Sequence, residues 1–153
     1  MPERTTIDID LLVVLDQFDI AGRRLQAAGY VAETTMLFFP DSRLGLVGRR
    51  YRGDAMPIDL ITSQQPWTRA AIAEASKTFE NERAVPLPYL VLMKLDASRG
   101  VDQGDLTRML GLADDNELHR VRAVIARFLP SDRDDLEQYI EIGRLELDTN
   151  RDR

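Results

Sequence analysis

Two aspartates, Asp8 and Asp10, stand two residues apart in Thr6-Ile7-Asp8-Ile9-Asp10-Leu11-Leu12-Val13, and a third, Asp59, stands in Pro57-Ile58-Asp59-Leu60-Ile61. Polar–apolar alternation followed by an unbroken apolar run predicts a strand over 6–15. Residues i and i+2 of a strand leave the same face, so Asp8 and Asp10 project together while Ile7, Ile9 and Leu11 turn toward a core. Carboxylates that close repel one another, which raises a pKa or calls for a compensating cation. A hard divalent ion, Mg²⁺ or Mn²⁺, answers that need, because it prefers a few carboxylate oxygens together with phosphate oxygens and water. Asp59, flanked by apolar residues, is costly to bury unless it lies at an open edge or meets a charge. With the two strands adjacent, Asp8, Asp10 and Asp59 converge on one or two ions, an arrangement suited to in-line phosphoryl or nucleotidyl transfer. Asp59 would be the third ligand or the base that takes the hydroxyl proton. The other reading of the same residues is the wet face of an alternating edge strand.

Composition narrows the chemistry. The 153-residue chain has no cysteine and one histidine, His119. That excludes disulfides, zinc–thiolate sites and thiol nucleophiles, and it argues against a Ser-His-Asp triad or a multi-histidine metal site. A formal charge of −6 and a pI near 4.8 argue against a surface built generally for nucleic acid. Positive charge is clustered locally in Arg43, Arg49, Arg50 and Arg52. Two readings of that cluster stand: a solvated arginine-rich hairpin, or a patch that steers an RNA acceptor. No apolar run approaches the roughly 20 residues that span a bilayer and no signal-peptide pattern opens the chain, so the expectation is a cytoplasmic protein with no membrane partner.

These residues need elements to hold them. After the first strand, Asp19 is the expected N-cap of a helix over 20–28, with Gly29 in the stop position. Strands follow over 31–39, 44–51 and 55–62, the last two flanking the turn signal Arg52-Gly53-Asp54. Pro66 opens a helix reaching about residue 76, and a short hairpin over 77–85 turns near Asn81. From Pro88 the pattern is helical: 89–97, 103–110, 116–129 and 134–147, with Gly143 a weak point in the last. The expected fold class is α+β, a small mixed β-sheet followed by a C-terminal helical cap. The expected organisation is one domain: an α/β core over 1–85, the cap over 86–148 and a frayed tail over 149–153.

The segment Arg4-Thr5-Thr6-Ile7-Asp8-Ile9-Asp10-Leu11-Leu12-Val13 resembles the R-x-T-x-D-I-D-L-L-V strand of the polymerase-beta-like minimal nucleotidyltransferases. The likeness is to the AbiEii-like branch of toxin–antitoxin and phage-defence systems. Ile58-Asp59-Leu60-Ile61 is similar to that family's third acidic strand. Pro86-Leu87-Pro88-Tyr89-Leu90-Val91-Leu92-Met93-Lys94-Leu95, then Arg99, Asp102 and Asp105-Leu106, resembles its helix S-P-E-D-L-I-x-x-K-L followed by R-x-K-D-x-x-D-L. The resemblance covers Arg4 to about Leu110. It implies metal ligation by Asp8 and Asp10, Asp59 as third ligand or base, and Lys94 facing the nucleotide phosphates. On the residues alone, Lys94 is equally a snorkelling lysine on a packed helix. Arg99, Asp102 and Asp105 are expected to lock the cap by ion pairs.

The family's Gly-Ser turn, which grips the triphosphate at a helix start, has no counterpart before Arg4. The expectation is a shortened homologue, a chain whose start is set too late, or a site completed by another chain. An open sheet edge then favours a homodimer. Three functions remain: an enzyme transferring a nucleoside monophosphate from an NTP to a hydroxyl on RNA, protein or a small molecule; a degenerate nucleotidyltransferase-fold module that binds a protein partner or a nucleotide without turnover; and a structural domain whose aspartates are ordinary surface residues.

Overall fold

A computed structural model describes residues 8–77, 82–97 and 100–151. The fold is α+β, with a four-stranded mixed sheet and C-terminal helices. The chain forms two compact units, one ending at Ala73 and the other beginning at Glu74. The sequence reading treats the chain as one domain and puts its internal boundary at 85/86; contacts place the division at the end of a helix instead.

The first unit is built on β1 (Ile9–Leu12), α1 (Phe18–Ala27), β2 (Val31–Phe38), β3 (Leu46–Arg52) and β4 (Ile58–Ser63). The sheet order is β1-β4-β3-β2, so the last strand in sequence lies inside the sheet, and β1 is an edge. β1 runs parallel to β4, which requires the α1 connection, whereas β2–β3 and β3–β4 are antiparallel neighbours. Alternation decides which face each residue takes. Tyr51, Ile58 and Leu60 turn to the α1 side and bury with Phe18, and Val13, Ala21, Leu25, Tyr30 and Ala32 pack around them. A methyl at Gly22 would lie 2.4 Å from the Tyr51 hydroxyl, so the closeness of α1 to the sheet depends on that glycine. Gly29 ends the helix with φ 93°, the left-handed conformation that glycine adopts without penalty. After β4, α2 (Trp67–Glu74) is anchored where Trp67 Nε1 and Ser63 Oγ both donate to the carbonyl of the fully buried Leu44, at 3.0 and 2.6 Å.

Several boundaries differ from the sequence reading. β1 is four residues long, and Thr6 and Ile7 lie outside the described residues. Asp19 is not the N-cap: α1 starts one residue before it, after Gln17, and Asp19 contributes only a negative charge to the first turn.

The second unit opens with the pair β5 (Ser76–Lys77) and β6 (Arg83–Ala84); the expected turn at Asn81 lies outside the described residues. Four helices follow: α3 (Leu87–Ala97), α4 (Gly100–Leu112), α5 (Asp115–Phe128) and α6 (Arg133–Arg151). Leu118, Val121 and Ile125 recur at helical spacing and form the buried stripe of α5. Its start is fixed by a capping box, in which Asp114 accepts from the Glu117 backbone and Glu117 accepts from the Asp114 backbone. The Tyr89 hydroxyl on α3 donates to Glu74 (2.7 Å), which Arg120 also meets at 3.0 Å. Burial, then the Glu74 carboxylate, pushes the Tyr89 hydroxyl up to about 12, and the Tyr89 bond, with Arg120, holds Glu74 below the usual carboxylate range.

α6 runs without a break through Gly143, and its helical span reaches Arg151. A methyl at Gly143 would stand 2.1 Å from the Thr107 carbonyl, and one at Gly111 2.5 Å from the Gly143 carbonyl. The glycines let the backbones of α4 and α6 touch. Among the described residues no helix is long and apolar enough to cross a membrane. Gly143→Ala should therefore destabilise the second unit by at least the about 1–3 kcal/mol of ordinary overpacking. Gly104→Ala, on α4 with no atom within 4 Å of the added methyl, should gain about 0.5–1 kcal/mol. Urea unfolding of both variants checks this; an unchanged midpoint for Gly143→Ala would refute the close crossing.

Candidate functional site

The register of the parallel pair brings the predicted acidic residues together. Asp10 on β1 lies beside Asp59 on β4, with Ile9 beside Ile58 and Leu11 beside Leu60. Matched residues of neighbouring strands share a face, so Asp10 and Asp59 project to the side opposite α1, and Asp8, two residues before Asp10, projects with them. Ile58 and Leu60 take the other face and join the α1 core. The alternation that buries these apolar side chains thus forces the carboxylates onto one surface.

Asp59 is the constrained member. All six residues of β4 are buried, and Asp59 is 8% exposed. Its partner across the antiparallel pair is Arg50 on β3. Arg50 Nε donates to Asp59 Oδ1 and Nη2 donates to Oδ2, both at 2.6 Å, a two-pronged contact that suits the planar guanidinium. The same Nη2 donates to Asp8 Oδ2 at 3.1 Å. One guanidinium therefore ties β3, β4 and the residue preceding β1. The bond to Asp59 raises the Arg50 pKa, so its charge is permanent.

Arg50 is the residue the sequence reading missed. The sequence readings of its cluster are a solvated hairpin or a steering patch, yet its side chain is 27% exposed and bonded to two carboxylates. The signal lay in parity: Arg50 and Asp59 are separated by a turn that places them opposite each other in a hairpin. The neighbouring arginines fare differently. Arg52 pairs with Glu33 at 2.5 Å, and Arg43 is exposed. Arg49 projects to the other face, where its Nε is buried without a hydrogen-bond partner, as is the Thr62 hydroxyl.

Three carboxylates share one face, and two of them, Asp8 and Asp59, are bridged by the Arg50 guanidinium. Among the described residues no three acidic or histidine side chains are grouped closely enough to hold a metal ion as they stand. Arg50 engages both Asp59 oxygens that such an ion would use. A cavity of about 360 Å³ beside β1, lined by Leu11, Val13, Ile20, Leu25 and Leu60 among others, opens on the α1 side and contains none of the three aspartates.

Lys94 lies on α3 in the second unit, where its Nζ donates to Asp105 Oδ2 at 2.8 Å. Asp105 thus forms one of the ion pairs expected within the helical part. Arg99 and the side chain of Asp102 lie outside the described residues. No family model matches the chain, and no curated protein matches it in sequence.

The Arg50–Asp59 pair should be strongly coupled. Arg50→Gln should cost about 2–3 kcal/mol, below the about 3–5 kcal/mol of a fully buried pair because Arg50 keeps some contact with water. In a double-mutant cycle with Asp59→Asn, the coupling energy should fall in the range of about 0.5–3 kcal/mol seen for residues in direct contact. Additive losses would show that the contact does not hold the sheet.

Proposed function

We propose that this chain is a nucleotidyltransferase-like protein whose carboxylate face, Asp8, Asp10 and Asp59, holds Mg²⁺ or Mn²⁺ with an NTP. It would transfer a nucleoside monophosphate to a hydroxyl on an RNA or protein acceptor. The observation that carries this reading is the pairing of Asp10 with Asp59 on parallel neighbours, which puts the three acidic residues on one face of the sheet. The resemblance of 4–13, of 58–61 and of the Lys94 segment to the AbiEii-like nucleotidyltransferases agrees with it. A bound divalent ion supplies charge neutralisation at the phosphates and lowers the pKa of the attacking hydroxyl. The chain's part is to present Asp10 from β1 and Asp8 just before it, and to hold Asp59 where it serves as ligand or proton acceptor.

A second reading is favoured by Arg50. With both Asp59 oxygens taken by a guanidinium, the fold is complete without a metal, as suits a degenerate module that binds a protein partner or a nucleotide without turnover.

Thermal melts separate the two. Wild-type protein with Mg²⁺ and NTP at about 100 times the dissociation constant should gain roughly 2.7 kcal/mol, a rise of several degrees that Asp10→Asn abolishes. Stabilisation by nucleotide that ignores both metal and Asp10→Asn would support the module instead, and no shift with any NTP would remove the enzyme.

β1 supports one further part of the proposal, a homodimer. It is an edge strand, and it exposes Ile9 and Leu11. Unpaired edges with apolar side chains invite pairing with a second copy. Light scattering at micromolar concentration should give twice the 17.4 kDa chain mass, and Leu11→Lys should return it to a monomer; a monomeric wild type would end this part of the reading.

A further inference from the structure

Arg49 is the arginine of β3 whose charge the chain does not answer. It pairs with Leu60 on β4, so it projects to the α1 side, the face opposite the three aspartates. Arg50 and Arg52 on the same strand each meet a carboxylate. Among the described residues Arg49 meets none, and its Nε is buried with no hydrogen-bond partner. Thr62 shares that condition: it is 0% exposed, and its hydroxyl has no partner either. Thr62 pairs with Val47, two residues before Arg49 on β3. The two are therefore diagonal neighbours on one face of adjacent strands, a spacing that a long side chain bridges. Buried polar groups that a chain leaves unpartnered are few, and each calls for a water or an ion. Met36, the partner of Arg49 on β2, and Val47 share its face and are 38% and 40% exposed, so this end of the face is open to solvent.

We propose that Arg49 and Thr62 form a binding site for a phosphate-type oxyanion on the α1 side of the sheet. It is separate from the carboxylate face and independent of the function proposed for that face. A guanidinium is a permanent cation whose fork of N–H donors takes two oxygens of one anion. A carboxylate has only those two to offer. The Thr62 hydroxyl, on the neighbouring strand, is a further donor that needs a third oxygen, and a tetrahedral phosphoryl group has one. Water would satisfy the hydroxyl but would leave the charge of Arg49 unanswered. Free inorganic phosphate and the phosphoryl group of a nucleotide are the two sources of that chemistry.

Titration of the purified chain with inorganic phosphate in EDTA, at an ionic strength held constant with chloride, tests this by ¹H–¹⁵N NMR. The reporter is the Arg49 Nε–H resonance, assigned by its loss in Arg49→Gln. Phosphate should move it saturably. Thr62→Val, which keeps the shape of the side chain, should weaken binding about 10-fold, the worth of one hydrogen bond to a charged group. AMP in place of phosphate separates the two sources. Saturation by AMP at a lower concentration than phosphate assigns the site to a nucleotide's phosphoryl group, and at an equal or higher one to free phosphate. Should exchange hide the resonance, thermal melts carry the comparison. Phosphate should then raise the melting temperature of wild type more than that of Arg49→Gln or Thr62→Val, each against its own chloride control. Stabilisation by general exclusion of phosphate from protein surfaces acts on all three alike. No saturable effect of phosphate, or the same affinity in Thr62→Val as in wild type, would overturn the site. Neither result bears on the carboxylate face, because the chelator keeps divalent ions out of the measurement.

Discussion

Asp59 stands in the middle of β4, a strand buried along its whole length, and a carboxylate there has to be neutralised where it stands. Charge burial is tolerated only with a partner of opposite sign and with its hydrogen bonds made. Arg50, directly across the antiparallel pair, meets both conditions with two bonds of 2.6 Å and reaches Asp8 as well. The position of β4 inside the sheet, the register of β3 against it and the placement of β1 alongside are all mutually consistent with that single contact. A one-residue slip of β3 would turn Arg50 to the α1 side and leave Asp59 unpaired.

The two faces of the sheet are consequently a pair of linked solutions. On one, Phe18, Tyr51, Ile58 and Leu60 exclude water under α1, with Gly22 allowing the helix to come close. On the other, Asp8, Asp10, Asp59 and Arg50 form a charged surface whose members are placed by the apolar alternation behind them. Chemistry proposed for the second face depends on the packing of the first, because the alternation that buries the core residues also fixes the face the carboxylates take. The helical unit solves a different problem. α4 and α6 approach until backbone meets backbone at Gly111 and Gly143, so shape rather than side-chain volume sets that crossing.

Much of this was legible in the sequence because it is local. Alternation around Asp8 and Asp59 marks strands, and apolar spacing at Leu118, Val121 and Ile125 marks a helix. The errors fall where local preference yields to packing. Asp19 is a good N-cap by type, but Phe18 is drawn into the core, and the helix begins before the aspartate can cap it. Gly143 is a poor helix former by type, but the opposing backbone needs the space that a side chain would fill.

The sequence by itself determined that the chain is α+β, that its candidate chemistry is carboxylate chemistry without cysteine or histidine clusters, and that Asp8 and Asp10 share a face. Those properties follow from composition and from a two-residue period, which any strand obeys. Only the tertiary structure decided that Asp59 lies beside Asp10, and that Arg50 bridges Asp59 to Asp8. Those facts depend on which strands become neighbours and in what register, a choice made by the burial of residues far apart in the chain. One arginine of a four-arginine cluster became the counter-ion of Asp59 because β3 pairs with β4 at a register that sets Arg50, and neither Arg49 nor Arg52, opposite it.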